Sequence, residues 1–128
     1  MAFQLGATLR NNQASQIETT IGSSGVSLVI YSGAEPTNCA AASPTGVLVT
    51  IALPATFLTS SGGVASLAGT WSAAASATGT AASFRIFDTS SVCHIQGNVT
   101  TDLVLNSTSI TSGQTVSVTS FAVTMGNA

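Results

Sequence analysis

Short apolar runs separated by turn residues follow one another along most of the chain and predict β-strands. The segment 26–31 (VSLVIY) is apolar on both faces, which is typical of a central strand. In the segment 47–53 (VLVTIAL), Val47, Val49, Ile51 and Leu53 alternate with the intervening positions and share one side, and Pro54 ends the run. A long loop, residues 33–46, separates these two predicted strands.

More strands are predicted in the second half of the chain. Residues 55–71 are predicted to form two short strands joined at Ser61, Gly62 and Gly63. Residues 102–107 and 114–125 form two further apolar runs. In the second run Val116 and Val118 would point to one face of a regular strand, and Phe121, Val123 and Met125 would point to the other face. A bulge or bend near Thr119 and Ser120 would return all of them to one core. The small-residue segment 72–83 is compatible with a sparse helix or an edge strand, and it suits close approach of another backbone.

One segment has helical periodicity. Within residues 6–22, positions at spacings of three and four residues form a weakly amphipathic stripe: Leu9, Gln13, Gln16, Ile17, Thr20 and Ile21. Gly22 and Gly25 predict where the helix stops. Because so polar a helix is not stable alone, we expect it to pack on a sheet or to lie against a partner.

The segment 84–99 (FRIFDTSSVCHIQGNV) predicts a β-hairpin. With its turn centred between Thr89 and Ser90, Ile86 faces Cys93 and Phe84 faces Ile95 on an apolar side. Arg85 then meets His94 and Phe87 meets Val92 on the other side, which is mixed. This pattern is that of a strand pair half exposed to solvent.

The order of these elements predicts an all-β protein with one short N-terminal helix. Strands of this length and spacing are typical of an antiparallel β-sandwich with jelly-roll or Greek-key connections. At 128 residues the chain forms one domain, residues 1–128, in which residues 1–25 are an N-terminal helical arm.

The composition of the chain limits the classes of molecule that the protein can bind. Charged residues make up 5% of the chain, the formal net charge is −2 and the mean hydropathy is +0.50. No apolar run approaches the ~20 residues of a membrane-spanning helix, and two basic residues leave no footprint for nucleic acid, so we expect neither a membrane nor a nucleic-acid partner. The first residues lack the pattern of a secretory signal, which predicts folding in the cytosol.

Lysines and other charged residues usually prevent exposed strand edges from pairing with other molecules, and this chain has few of them, so its edges must be protected in another way. Two answers are open from the sequence. Either a surface of Ser, Thr, Asn and Gln hydrates the molecule well enough, or neighbouring copies in an assembly cover much of it. The second alternative predicts a homo-oligomer.

His94 is the one candidate for a catalytic base. Asp88 is six residues earlier, but in the expected hairpin it faces Ser91 rather than His94, and the chain has no GxSxG motif. A metal site would need Cys39, Cys93 and His94, yet adjacent strand residues point to opposite faces. The acids are scattered along the chain, at Glu18, Glu35, Asp88 and Asp102. We therefore assign no catalytic, cofactor-binding or metal-binding residue.

The cysteines, Cys39 and Cys93, are either free or joined in a disulfide. In a protein folded in the cytosol, free buried thiols are the commoner state, and we expect that state here. Cys93 is predicted to be a small core residue beside Ile95.

Three stretches, residues 1–25, 77–99 and 109–128, carry a resemblance beyond composition. They resemble a group of small proteins encoded among the virion structural genes of tailed bacteriophages. The resemblance implies a non-enzymatic, structural role in the particle, for example as a capsid cement or decoration protein that binds the major capsid protein. It carries no catalytic residues to this chain.

From the resemblance and the low charge we expect a decoration protein of the virion, assembled in the host cytoplasm as a dimer or trimer. The helix and the 33–46 loop are the expected contact elements. One alternative is a tail or fibre module that binds host-surface glycans through an exposed aromatic cleft. A second is a small hydrolase that depends on His94.

Overall fold

The computed structural model of the protein describes residues 6–22 and 25–124. Within these residues it has one helix and eleven strands, and no helix there is long and apolar enough to cross a membrane. The elements are α1 (Ala7–Ile21), β1 (Ser27–Tyr31), β2 (Val47–Ala52), β3 (Leu58–Ser61), β4 (Val64–Leu67), β5 (Ser72–Ala74), β6 (Gly79–Thr80), β7 (Ser83–Phe87), β8 (Cys93–Asn98), β9 (Leu103–Leu105), β10 (Ser109–Ile110) and β11 (Thr115–Thr124). The predicted β-rich class with one short helix is confirmed.

The first sheet is antiparallel and has the strand order β2-β1-β7-β8. Leu28 of β1 lies opposite Ile51 on one side and Ile86 on the other, and all three side chains are buried on the core face. Val47 of β2 is exposed, against the predicted alternation, because the pairing of β1 with β2 shifts register at Tyr31. The opposite face of this sheet carries both apolar and polar side chains, among them Val29, Tyr31 and Arg85, and the loop that follows β1 covers it.

β11 is the long strand of the second sheet. Its first residues pair with β5, its middle with β9 and its last residues with β4, which also pairs with β3, and every pair is antiparallel. The pairing with β9 shifts register between Val118 and Ser120. This irregularity buries Val116, Val118 and Phe121 together, so the predicted bend is confirmed, whereas Met125 lies outside the described residues. β6 and β10 form a separate small pair.

Two hairpin predictions can be compared with the structure. Gly62 and Gly63 join β3 to β4 with φ of 60° and 78°, a pair of left-handed residues that suits a tight hairpin, so this turn is confirmed. The hairpin of β7 and β8 is also present, but its predicted register is wrong. Ile86 lies opposite Ile95, not Cys93, and Phe84 lies opposite Gly97. Segment 72–83 contributes short strands, not a helix.

An aromatic cluster joins the two larger sheets in one core. The rings of Trp71 and Phe121 are 5.5 Å apart, those of Phe84 and Phe121 are 5.8 Å apart, and Phe57 lies 6.3 Å from Trp71. Because Phe84 belongs to β7 and Phe121 to β11, the apolar faces of both sheets meet in this cluster. Burial of these large side chains is the main stabilising contribution.

The helix packs on the second sheet, which confirms one of the two expected settings for it. It lies against β3 and β4, and Ala14 and Ile21 are its buried residues. It ends at Gly22, whose φ is 103° and whose N–H donates to the Glu18 carbonyl, as the glycine predicted. The start of the arm, residues 1–5, lies outside the described residues.

Candidate functional site

The turn between β7 and β8 brings Asp88 and His94 together. His94 Nε2 lies 2.9 Å from Asp88 Oδ2, and Asp88 Oδ1 accepts hydrogen bonds from the N–H groups of Ser90 and Val92 at 2.8 and 3.0 Å. The expectation that Asp88 would lie away from His94 is therefore wrong. The reason is a bulge: Ile86 pairs with Ile95 and Phe87 with Cys93, so His94 is an extra residue on β8.

The contacts of Asp88 lower the pKa of its carboxyl group. The largest cause is the hydrogen bond from His94, followed by the backbone hydrogen bond from Val92. The pair thus orients the imidazole and keeps the carboxylate charged. Among the described residues no serine, threonine or cysteine side chain hydrogen-bonds to His94, so the pair there lacks the attacking group that a catalytic triad places beside its histidine.

A groove of about 390 Å³ lies beside this pair, between α1 and the edge of β8. Its helix wall consists of Gln13, Gln16, Ile17, Thr20 and Ile21, and its opposite wall of His94, Ile95 and Val123. Four of these side chains are aliphatic and three are neutral and polar, so the floor is apolar and the rim can form hydrogen bonds without charge. The helical stripe found in the sequence therefore lines this groove.

A loop after β1, residues 32–46, covers the face of the first sheet that points away from the core; we name it the clasp loop. Arg85 of β7 is 2% exposed and donates to the carbonyl oxygens of Asn38 and Ala41 at 3.1 and 3.0 Å. Gln96 Nε2 of β8 donates to the Pro36 carbonyl at 2.8 Å, and Ser83 Oγ donates to a further loop carbonyl. Among the described residues no carboxylate forms an ion pair with Arg85.

The clasp loop is also held covalently, by a disulfide between Cys39 and Cys93. The expectation of free thiols is wrong, and so is the placement of Cys93 in the core. The bulge at His94 puts Cys93 opposite Phe87, on the loop-covered face, with its Cα 5.4 Å from that of Cys39. Both sulfurs are used in this bond. Across residues 6–22 and 25–124, no group of three or more His, Cys, Asp or Glu side chains is placed to bind a metal ion.

Two scattered acids cap strand edges. Glu18 of α1 accepts the N–H of Leu58, on the outer edge of β3, at 2.8 Å. Asp102 accepts the N–H of Asn98, on the outer edge of β8, at 2.8 Å. Each carboxylate occupies a donor that would otherwise be open to another strand. Sequence reasoning missed these roles, and only the position of Asp102 just after a predicted strand could have suggested one.

Comparison of the chain with protein-family models, with curated proteins and with solved structures found no match.

Proposed function

We propose that this protein is a structural component of a tailed-bacteriophage virion, a decoration protein that binds the lattice of the major capsid protein and stabilises the head. Its finer fold, in this proposal, is an antiparallel sandwich with jelly-roll or Greek-key connections. The resemblance of residues 1–25, 77–99 and 109–128 to small phage virion proteins supports this function.

The observation that carries the proposal is that four of the six charged side chains bind groups of the protein itself, while Glu35 is exposed. Arg85 is buried under the clasp loop, and Glu18, Asp88 and Asp102 each accept a hydrogen bond from the protein's own backbone. What remains outside is largely neutral. Such a surface binds its partner through apolar burial and backbone hydrogen bonds, and ion pairs contribute little.

Exposed aliphatic side chains give this surface something to bury. Leu9, Val47, Val92 and Val104 are each between 42% and 50% exposed. Single exposed aliphatic residues are common on proteins, but in a chain with 5% charged residues few charged side chains stand near them to keep a partner away. The covalently held clasp loop adds a rigid surface, and rigid surfaces lose less entropy on binding.

The aromatic residues favour this role over a glycan-binding tail module. The buried aromatic side chains are Trp71, Tyr31, Phe57, Phe84 and Phe121, and Phe87 is half-buried opposite Cys93, so the described residues present no cleft of exposed aromatic rings that could stack on a sugar. The contact between His94 and Asp88 favours the alternative of a His94-dependent hydrolase, but no described serine, threonine or cysteine side chain hydrogen-bonds to His94 as an attacking group. A His94→Ala variant that assembles normally and loses lytic activity would revive that alternative.

The proposal is tested by washing purified virions in buffers from 0.05 to 1 M NaCl, a range over which the screening length falls from above 10 Å to about 3 Å. We expect the protein to stay on the heads across the range, while an added basic protein held by ion pairs is released as a control. Release of this protein from intact heads by salt alone would contradict the proposed mode of binding. Gold labelling of heads rather than tails, and a dimer or trimer in light scattering, are the companion results expected.

A further inference from the structure

The outer edge of β8 has a stretch of backbone that no neighbouring strand occupies. β8 is the last strand in its sheet, and the Val99 N–H donates to the Ala82 carbonyl across from it. Because hydrogen-bonded pairs alternate along an antiparallel ladder, the N–H and C=O of Gln96 point away from β7, toward the free edge.

Both ends of this open stretch are closed by carboxylates. At one end Asp102 accepts the Asn98 N–H, and its own N–H donates to the Asn98 carbonyl at 3.0 Å. At the other end the bulge residue His94 is bound to Asp88. Between these two ends the N–H and C=O of Gln96 are the backbone groups that face outward, and they can pair with one residue of a short added strand.

The groove described above adjoins this edge at His94 and Ile95, with α1 as its far wall. A groove between an edge strand and a helix is the geometry in which an extended peptide adds to a sheet, taking affinity from backbone hydrogen bonds and specificity from side-chain pockets. The volume of about 390 Å³ is at the lower end of the range for ligand sites and accommodates a few side chains. Ile17 and Ile95 offer them an apolar floor.

Charge restricts what the groove accepts. Its wall residues Gln13, Gln16 and Thr20 are neutral, and the carboxylates of Asp88 and Asp102 stand at the two ends of the open edge. An acidic side chain in a bound strand would be repelled by one of these carboxylates, or it would lose its hydration against the isoleucines, and both effects oppose binding. We propose that the groove binds an extended, acid-free strand of the capsid shell protein, which adds to the edge of β8; this inference rests on the proposed function.

The test uses heads from phage particles that lack this protein and measures binding of the purified protein to them. Gln13→Lys puts an ammonium group in the groove, and Asn12→Lys adds the same charge to the neighbouring exposed helix position outside it. We expect Gln13→Lys to weaken binding at least ten-fold and Asn12→Lys to change it less than two-fold. Amide hydrogen exchange in residues 94–97 should slow at least ten-fold on bound heads, because a strand occupies the Gln96 N–H.

Each other outcome overturns a defined part of the proposal. Equal binding of the wild type and both variants overturns the groove as the docking site and leaves the proposed function standing. Loss of binding in Gln13→Lys with unchanged exchange in residues 94–97 overturns the added strand and points to another occupant. A wild-type protein that does not bind the heads overturns the proposed function and this inference with it.

Discussion

Removal of the disulfide should destabilise the protein strongly while leaving its sheets in place. The bond joins Cys39 to Cys93, residues 54 apart in sequence, and thereby closes a long loop in the unfolded chain. In the chain-entropy treatment a crosslink over this separation contributes about 4 kcal/mol, and measured values commonly lie between about 2 and 4 kcal/mol. Domains of this size have total stabilities of about 5–15 kcal/mol.

The perturbation is the double variant Cys39→Ala, Cys93→Ala. We expect it to fold, because Arg85, Gln96 and Ser83 still bind the clasp loop through its carbonyl groups. Its free energy of unfolding should be lower by about 2–4 kcal/mol.

The assay is urea unfolding followed by the fluorescence of Trp71, which is the one tryptophan of the chain and is 1% exposed. Addition of a reductant should shift the wild-type transition to that of the variant and should not affect the variant, which is the matched control. A difference below about 1 kcal/mol, or a wild type indifferent to reductant, would refute the reasoning that the bond is formed and stabilises by loop closure.

Three further predictions concern buried or capping polar groups. Arg85→Met should lower the free energy of unfolding by about 3 kcal/mol in urea titration, because clasp-loop carbonyls lose charged donors, and a loss below about 1 kcal/mol would contradict this. In Glu18→Ala the Leu58 N–H at the edge of β3 loses its acceptor, so we expect the free energy of unfolding to fall by about 1–2 kcal/mol and aggregation to increase in light scattering. Glu18→Gln should retain most of the stability. Asp88→Asn should have a lower free energy of unfolding than the wild type at neutral pH. Because the pKa of Asp88 is lowered in the folded state, this difference should disappear as the pH falls through that pKa. A difference that does not change with pH would contradict this reasoning.

The strands and the helix could be predicted because each depends on local periodicity. The burial of Val49 and Ile51 in β2, the glycine pair at Gly62 and Gly63, and the parity change near Thr119 correspond to features of the structure, whereas Val47 does not follow the predicted alternation. A bulge was predictable near Thr119 because large apolar residues on both sides of it had to reach the same core.

The bulge at His94 could not be predicted in the same way. The residues around it, from Phe87 to Gly97, fit two registers about equally well by polarity, and one extra residue exchanges the faces of everything beyond it. The wrong register placed Cys93 on the wrong face of the hairpin. For the same reason the disulfide and the contact between Asp88 and His94 were not predicted.

The roles of Glu18 and the buried Arg85 escaped prediction for a different reason. Glu18 meets Leu58, and Arg85 meets the clasp loop, across separations of 40 residues or more. No periodicity in the sequence reports such contacts. Glu18 shows how a chain with 5% charged residues protects a strand edge from within, and the β8 edge keeps an open stretch that is proposed to bind a partner.

Quantitative mass spectrometry of purified phage particles tests the central claim most directly, by giving the copy number of this protein relative to the major capsid protein. A decoration protein that follows the capsid lattice should be present in a fixed, near-stoichiometric ratio, amounting to hundreds of copies per particle. A handful of copies, or none in particles that carry a full complement of capsid protein, would contradict the account.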